Sequence, residues 1–102
     1  MSRDALPSLS PKERLILELL IDHEEMYGLQ LVAASRRRLK RGTIYVTLGR
    51  MEDKGFVASR LDEPPPHTGG LPRRLYEPTA LGRQVFKAWS EVARRFSLAF
   101  AR

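Results

Sequence analysis

Between Ser35 and Gly55 the chain reads SRRRLKRGTIYVTLGRMEDKG, which opens with five cations in six positions: Arg36, Arg37, Arg38, Lys40 and Arg41. Positive charge at that density suits the neutralisation of a polyanion whose phosphates release counterions on contact. The rest of the stretch carries Ile44, Leu48 and Met51 at i, i+4 and i+7. That spacing predicts a helix over residues 41–54, with one buried stripe and Gly55 as its stop. At 100° per residue the opposite face holds Gly42, Val46, Gly49 and Asp53, with Thr43 and Arg50 on one flank and Tyr45 on the other. Gly49 inside a helix costs about 1 kcal/mol against alanine, so a face this bare suits close approach by another surface. Arg50 is the best candidate for a base edge, because a guanidinium can give guanine two hydrogen bonds. Thr43, Tyr45 and Thr47 lie on or beside the same face. The bland alternative for all four is a solvated helix surface. Five cations cannot all reach one phosphate backbone, so some of them face solvent.

The whole chain carries a formal charge of +6 and a pI near 10.3, which points to nucleic acid first and an anionic membrane second. Its 102 residues and 42% hydrophobic content fit one domain with a modest core. Cysteine is absent, which excludes disulfide frameworks and thiolate metal sites. His23 and His67 lie far apart, and neither a metal nor an organic cofactor is expected. No Ser/His/Asp or Cys/His arrangement and no phosphate-cradling glycine loop is visible, so an enzyme is not expected. The longest apolar run, LILELLI, is too short to span a bilayer, and MSRDALPSLS lacks the apolar core of a signal peptide. A cytoplasmic location is the default. Membrane-surface binding is disfavoured, because the cations cluster before one helix instead of lining the polar face of a long amphipathic one.

The elements that must position these residues follow from capping and periodicity. Ser10, Pro11 and Glu13 form a capping-box start for a first helix whose Leu15, Ile16, Leu19 and Leu20 face inward. A shorter second helix is predicted over YGLQLVAAS, with Leu29, Val32 and Ala33 inward and Gly28 allowing a close crossing. After the third helix, FVASRLDE and RRLYEP read as two strands. The loop between them is stiffened by three prolines and freed at its tip by Gly69 and Gly70. Thr79 caps a last helix whose Val85, Trp89, Val92, Phe96 and Ala99 alternate by four and three, as in a short coiled-coil seam. Three helices, a hairpin and a helix make a mainly α, α+β chain. The pattern fits a winged helix-turn-helix over residues 9–78, followed by a dimerisation helix over 79–102. In that fold the third helix enters the major groove, and the cations before it hold phosphates at the groove's edge.

The segment LKRGTIYVTLGRMEDKGFVASR resembles the signature of the PadR family around its recognition helix. EMYGLQL is similar to that family's second-helix motif, and GGLPRRLYEPTALGR to its wing and the start of its last helix. The resemblance covers roughly residues 9–86. It departs at Met26-Tyr27-Gly28, where the aromatic precedes the glycine and the family's histidine is absent, and at Pro78, where leucine is common. It implies a homodimeric regulator of the smaller type with a single C-terminal helix, usually a repressor, binding double-stranded DNA. It further implies a phosphate contact for Tyr45, whose other reading is packing beneath the wing. In the wing itself, Arg73 and Arg74 alternate to opposite faces, so one of them meets DNA. Tyr76 shares the Arg74 face and reads as packing.

Trp89 and Phe96 have two readings: a dimer core or packing on the first helix, and a seat for the flat, apolar effector that some relatives hold between their terminal helices. A second class of function remains for the whole chain, a winged-helix protein–protein module whose charge only solubilises it. A steep loss of duplex affinity with salt separates the two classes.

Overall fold

A computed structural model describes residues 6–100, apart from the side chains of residues 99 and 100. The start of MSRDALPSLS, through residue 5, and the side chain of the seam position Ala99 therefore lie outside the described residues. Helix α1 spans Pro11–His23 and begins as its residues dictate: the Ser10 hydroxyl accepts from the Glu13 amide, and Glu13 accepts from the Ser10 amide at 2.8 Å. Leu15, Ile16, Leu17 and Leu20 are buried, so Leu17 takes an inward place that periodicity gave to the half-buried Leu19.

A two-residue strand, β1 (Met26–Tyr27), precedes helix α2 (Gly28–Ala34). It corrects the expectation of a bare hairpin. The sheet has three antiparallel strands in the order β1-β3-β2, with β2 at Val57–Asp62 and β3 at Arg73–Pro78. Met26 pairs with Tyr76, and Asp62 with Arg73. Leu31 is the inward residue of α2. Leu29 (46% exposed) and Ala33 point outward, against the periodicity expectation. Seven residues are too few for a stripe to determine its own phase once both ends are held by other elements.

Helix α3 runs Ile44–Asp53, three residues shorter at its start than expected because 41–43 form a turn. Ile44, Leu48 and Met51 fill the core. Gly55 (φ +82°) ends the helix, with its amide bonded to the Glu52 carbonyl and that of Phe56 to the Met51 carbonyl. This is the paired closure a left-handed C′ glycine allows. The wing loop closes on itself where Thr68 bonds the Pro65 carbonyl through its amide and hydroxyl. Helix α4 spans Ala80–Phe100. Thr79 caps it, accepting from the Gly82 amide while donating to the Gly55 carbonyl at 2.6 Å. The first turns of α4 belong to the common core, in which Val85 is 4% exposed.

Candidate nucleic-acid interface

Helix α3 leaves the centre of its outer face open. Val46 is 62% exposed and Tyr45 49%, and a methyl group built on Gly42 or Gly49 would meet nothing within 4 Å. Arg50 and Thr43 are exposed beside this line. Thr47 is half-buried, and its hydroxyl is bonded back to the Thr43 carbonyl at 3.1 Å, so it has less to offer a ligand than Thr43. Val46 falls on this face by helical spacing, though its residue type alone does not mark it as a contact. Its exposure at the centre of the face makes it the apolar member of the set.

The turn before α3 is built by Ser35 and Leu39. The buried Ser35 hydroxyl donates to the Val32 carbonyl at 2.7 Å and accepts from the Leu39 amide at 2.9 Å, and Leu39 plugs the core. Between these anchors, Arg36 (φ 54°) and Arg37 (φ 72°) stand in the left-handed region. Residues with a Cβ occupy that region at a cost of roughly 1–2 kcal/mol each, which glycine would avoid. Sequence patterns gave no sign of Ser35 in this role, because a serine after a helix is equally common in plain loops.

The side chains of Arg36, Arg37, Arg38, Lys40, Arg41 and Arg50 are exposed and form no hydrogen bond or ion pair among the described residues. Arg38 lies apart from the α3 face, lining a groove on α1 with Arg14 and Glu18.

In the wing, Arg73 and Arg74 do take opposite faces. The Arg73 guanidinium stacks over the Tyr27 ring at 3.9 Å, and Arg74 donates to the Ser59 hydroxyl at 3.1 Å. The Tyr27 hydroxyl donates to Asp62, and that acceptor, with lesser help from burial, lifts the phenol above its ordinary pKa. Tyr76 is buried in the core; burial first, then the charge of Glu52, raises its pKa, as expected of a packing residue. The Tyr45 ring lies against Gly28 at the start of α2 and borders a pocket with Pro72, Arg73 and Arg74 of the wing.

The α4 positions divide. Val85 is enclosed within the domain and is not part of an exposed seam. Trp89, Val92 and Phe96 line a groove of about 320 Å³ with Leu9, Pro11 and Arg14. The Trp89 indole donates to the Pro7 carbonyl at 2.8 Å, and Phe96 is 60% exposed. Among the described residues no cluster of ligating side chains suits a metal ion, and no helix is long and apolar enough to cross a membrane.

The family model described as the transcriptional regulator PadR-like family matches residues 16–88. A PadR family transcription regulator from hypervirulent Clostridium difficile R20291 superposes with a TM-score of 0.74 at 26% identity, covering 88% of this chain and 94% of that one. One from Eggerthella lenta DSM 2243 gives 0.63 at 27% identity, covering 87% and 81%. A PadR-like transcription factor from Bacteroides fragilis gives 0.72 at 21% identity over 84% and 82%, a likeness of fold alone. No curated protein matches the chain.

Proposed function

From a chain that belongs to the PadR-like family of transcriptional regulators, DNA-binding proteins and not enzymes, we propose a homodimeric cytoplasmic repressor that reads the major groove with α3. One observation carries this reading: the outer face of α3 is open at its centre and flanked by unpaired cations. Arg50 serves as the guanine-reading side chain, and Val46 offers an apolar surface to a thymine methyl. Lys40, Arg41 and part of the Arg36–Arg38 run hold the backbone, and the wing (63–74) reaches the backbone or minor groove. Residues 9–78 form the DNA-reading unit, and 79–102 the dimerisation helix. Repression follows from occupancy of the operator.

Binding sequences selected from a random duplex library supply the operator for the test. Arg50→Ala is expected to relax preference at one operator position, at a cost of about 1–3 kcal/mol. Arg37→Ala should weaken all duplexes alike and flatten the salt dependence, and Arg38→Ala, on the α1 side, should do so less. Equal losses for Arg50→Ala on operator and random DNA would remove it from base reading. Duplex affinity insensitive to salt would favour the protein–protein module instead.

Dimerisation is assigned to the α4 groove, where Trp89, Val92 and Phe96 leave an apolar patch uncommon on monomers. A flat apolar effector would sit on the same Trp89 and Phe96 surface, at the dimer seam. Replacing Val92 and Phe96 together with glutamate should give monomers in sedimentation. Unmodified protein that is itself monomeric at roughly tens of micromolar would sink the assignment.

A further inference from the structure

Between α2, α3 and β3 lies a pocket of about 260 Å³ in whose lining there is no carboxylate. Four polar side chains meet there from three elements: Gln30, Tyr45, Arg73 and Arg74. Each is held by a separate contact that leaves donors available.

The Gln30 Oε1 accepts from the Tyr27 amide at 2.8 Å, so its carboxamide nitrogen, with two hydrogens, is turned away from that bond. The Tyr45 ring is seated by Gly28, where a Cβ would come within 2.6 Å of the ring and 2.9 Å of the hydroxyl oxygen. The Arg73 guanidinium lies over the Tyr27 ring and also engages its hydroxyl, and with five N–H donors it keeps others for a ligand. Arg74 gives one nitrogen to Ser59, whose own hydroxyl donates to Glu52 at 2.9 Å, so the guanidinium is anchored with other donors unspent. Leu29 and Pro72 complete the lining with apolar surface.

Two guanidiniums, a carboxamide N–H₂ and a phenol hydroxyl around one cup make a donor set without an opposing acceptor charge. Its complement is a small oxyanion that only accepts. We propose that this pocket seats a single phosphodiester of the duplex backbone, gripped jointly by Gln30, Tyr45, Arg73 and Arg74. The proposal rests on the DNA-binding reading above. It adds Gln30 as a binding residue and makes Gly28 the residue that positions Tyr45. It also gives both wing arginines the same ligand, although their side chains leave the strand on opposite faces. One phosphate held between the second helix and the wing fixes the register of α3 along the groove, since phosphate contacts position and base contacts specify.

The test uses the full chain. Gln30→Glu keeps an oxygen to accept from the Tyr27 amide, so the α2 cap persists, but turns the other group into a carboxylate facing the phosphate. Tyr45→Phe removes only a hydroxyl. Both should melt like the parent, while duplex affinity falls roughly 10–100-fold for Gln30→Glu and by less for Tyr45→Phe. Selected duplexes carrying one neutral methylphosphonate at a time then locate the contact. One linkage per bound domain should weaken the parent, and at that linkage alone the further loss should vanish in both variants. Parent-like affinity in both variants overturns the seat and leaves the DNA-binding reading intact. So does a loss equally sensitive to every methylphosphonate position. A parent that binds no duplex overturns both.

Discussion

Alanine at position 82 is expected to lower stability by about 2–3 kcal/mol, net of the roughly 1 kcal/mol that alanine gains over glycine inside a helix. A Cβ there would lie 2.1 Å from the Phe56 carbonyl oxygen and 3.2 Å from a Leu17 methyl. The carbonyl cannot swing away. It accepts from the Thr79 amide at 3.0 Å, and the Phe56 amide is itself locked to Met51 by the closure of α3. The first turn of α4 would have to lift, taking Val85 from the core. In a domain of this size the loss moves Tm by roughly 10–20 °C, measurable by thermal melting. Gly49→Ala is the control with the opposite sign. With nothing within 4 Å of the added methyl, it should gain up to about 1 kcal/mol while weakening DNA binding. A Gly82→Ala protein that melts with the parent would mean that α4 does not approach the Phe56 carbonyl this closely.

The second large effect belongs to Glu13, which closes the α1 cap and pairs with Lys54 at 2.9 Å, joining the start of α1 to the end of α3. Glu13→Ala should cost about 2–3 kcal/mol through the lost cap and the lost charge-assisted bond. Glu13→Gln should keep most of the cap and lose mainly the ionic part. Burial pushes this carboxyl's pKa up, but the Ser10 amide and then the Lys54 ammonium outweigh it and hold it below its ordinary value of 4.5. A carboxyl depressed in the fold contributes stability that is complete above its unfolded value and disappears as pH falls through the lowered one. Urea titrations across that acid range should therefore show a steeper decline for the parent than for Glu13→Gln. Parallel declines would exclude the carboxylate as a source of acid sensitivity.

What was legible in the sequence was local. The capping box at Ser10, the stop at Gly55, the stripe of α3 and the alternation of Arg73 and Arg74 each depend on residues within a few positions of one another. The structure has them as the sequence implied. Less could be inferred where distant partners decide. Strand β1 is two residues long and exists because Met26 and Tyr27 find β3 across about 50 positions, which no periodicity of two residues can signal. Leu29 lies outward and Leu31 inward in a helix whose first residue, Gly28, lies against Tyr45 of α3, a partner that local spacing does not reveal. Val85 fits a seam by spacing, yet the close approach at Gly82 carries the helix's start into the core. At the candidate interface, residue types on α3 were readable, whereas Gln30 was not. Its importance comes from a capping bond that fixes which end of its amide faces outward.

The division of α4 has a geometric consequence. Its first turns are clamped by Gly82 and Val85, and its later turns carry Val92 and Phe96, all on one unbroken helix of 21 residues, about 32 Å long. In the dimer proposed above, that helix is a shaft between two reading heads. Every residue added between Val85 and Val92 would rotate each head by about 100° and shift it about 1.5 Å relative to the seam, taking the two heads out of phase with a groove that recurs every turn of DNA. An insertion of seven residues, close to two whole turns, would nearly restore the angle but carry each head about 10 Å farther from the seam. In that proposed dimer the length of α4 sets the spacing of the two half-sites, so substitutions within the helix should be far better tolerated than single insertions or deletions.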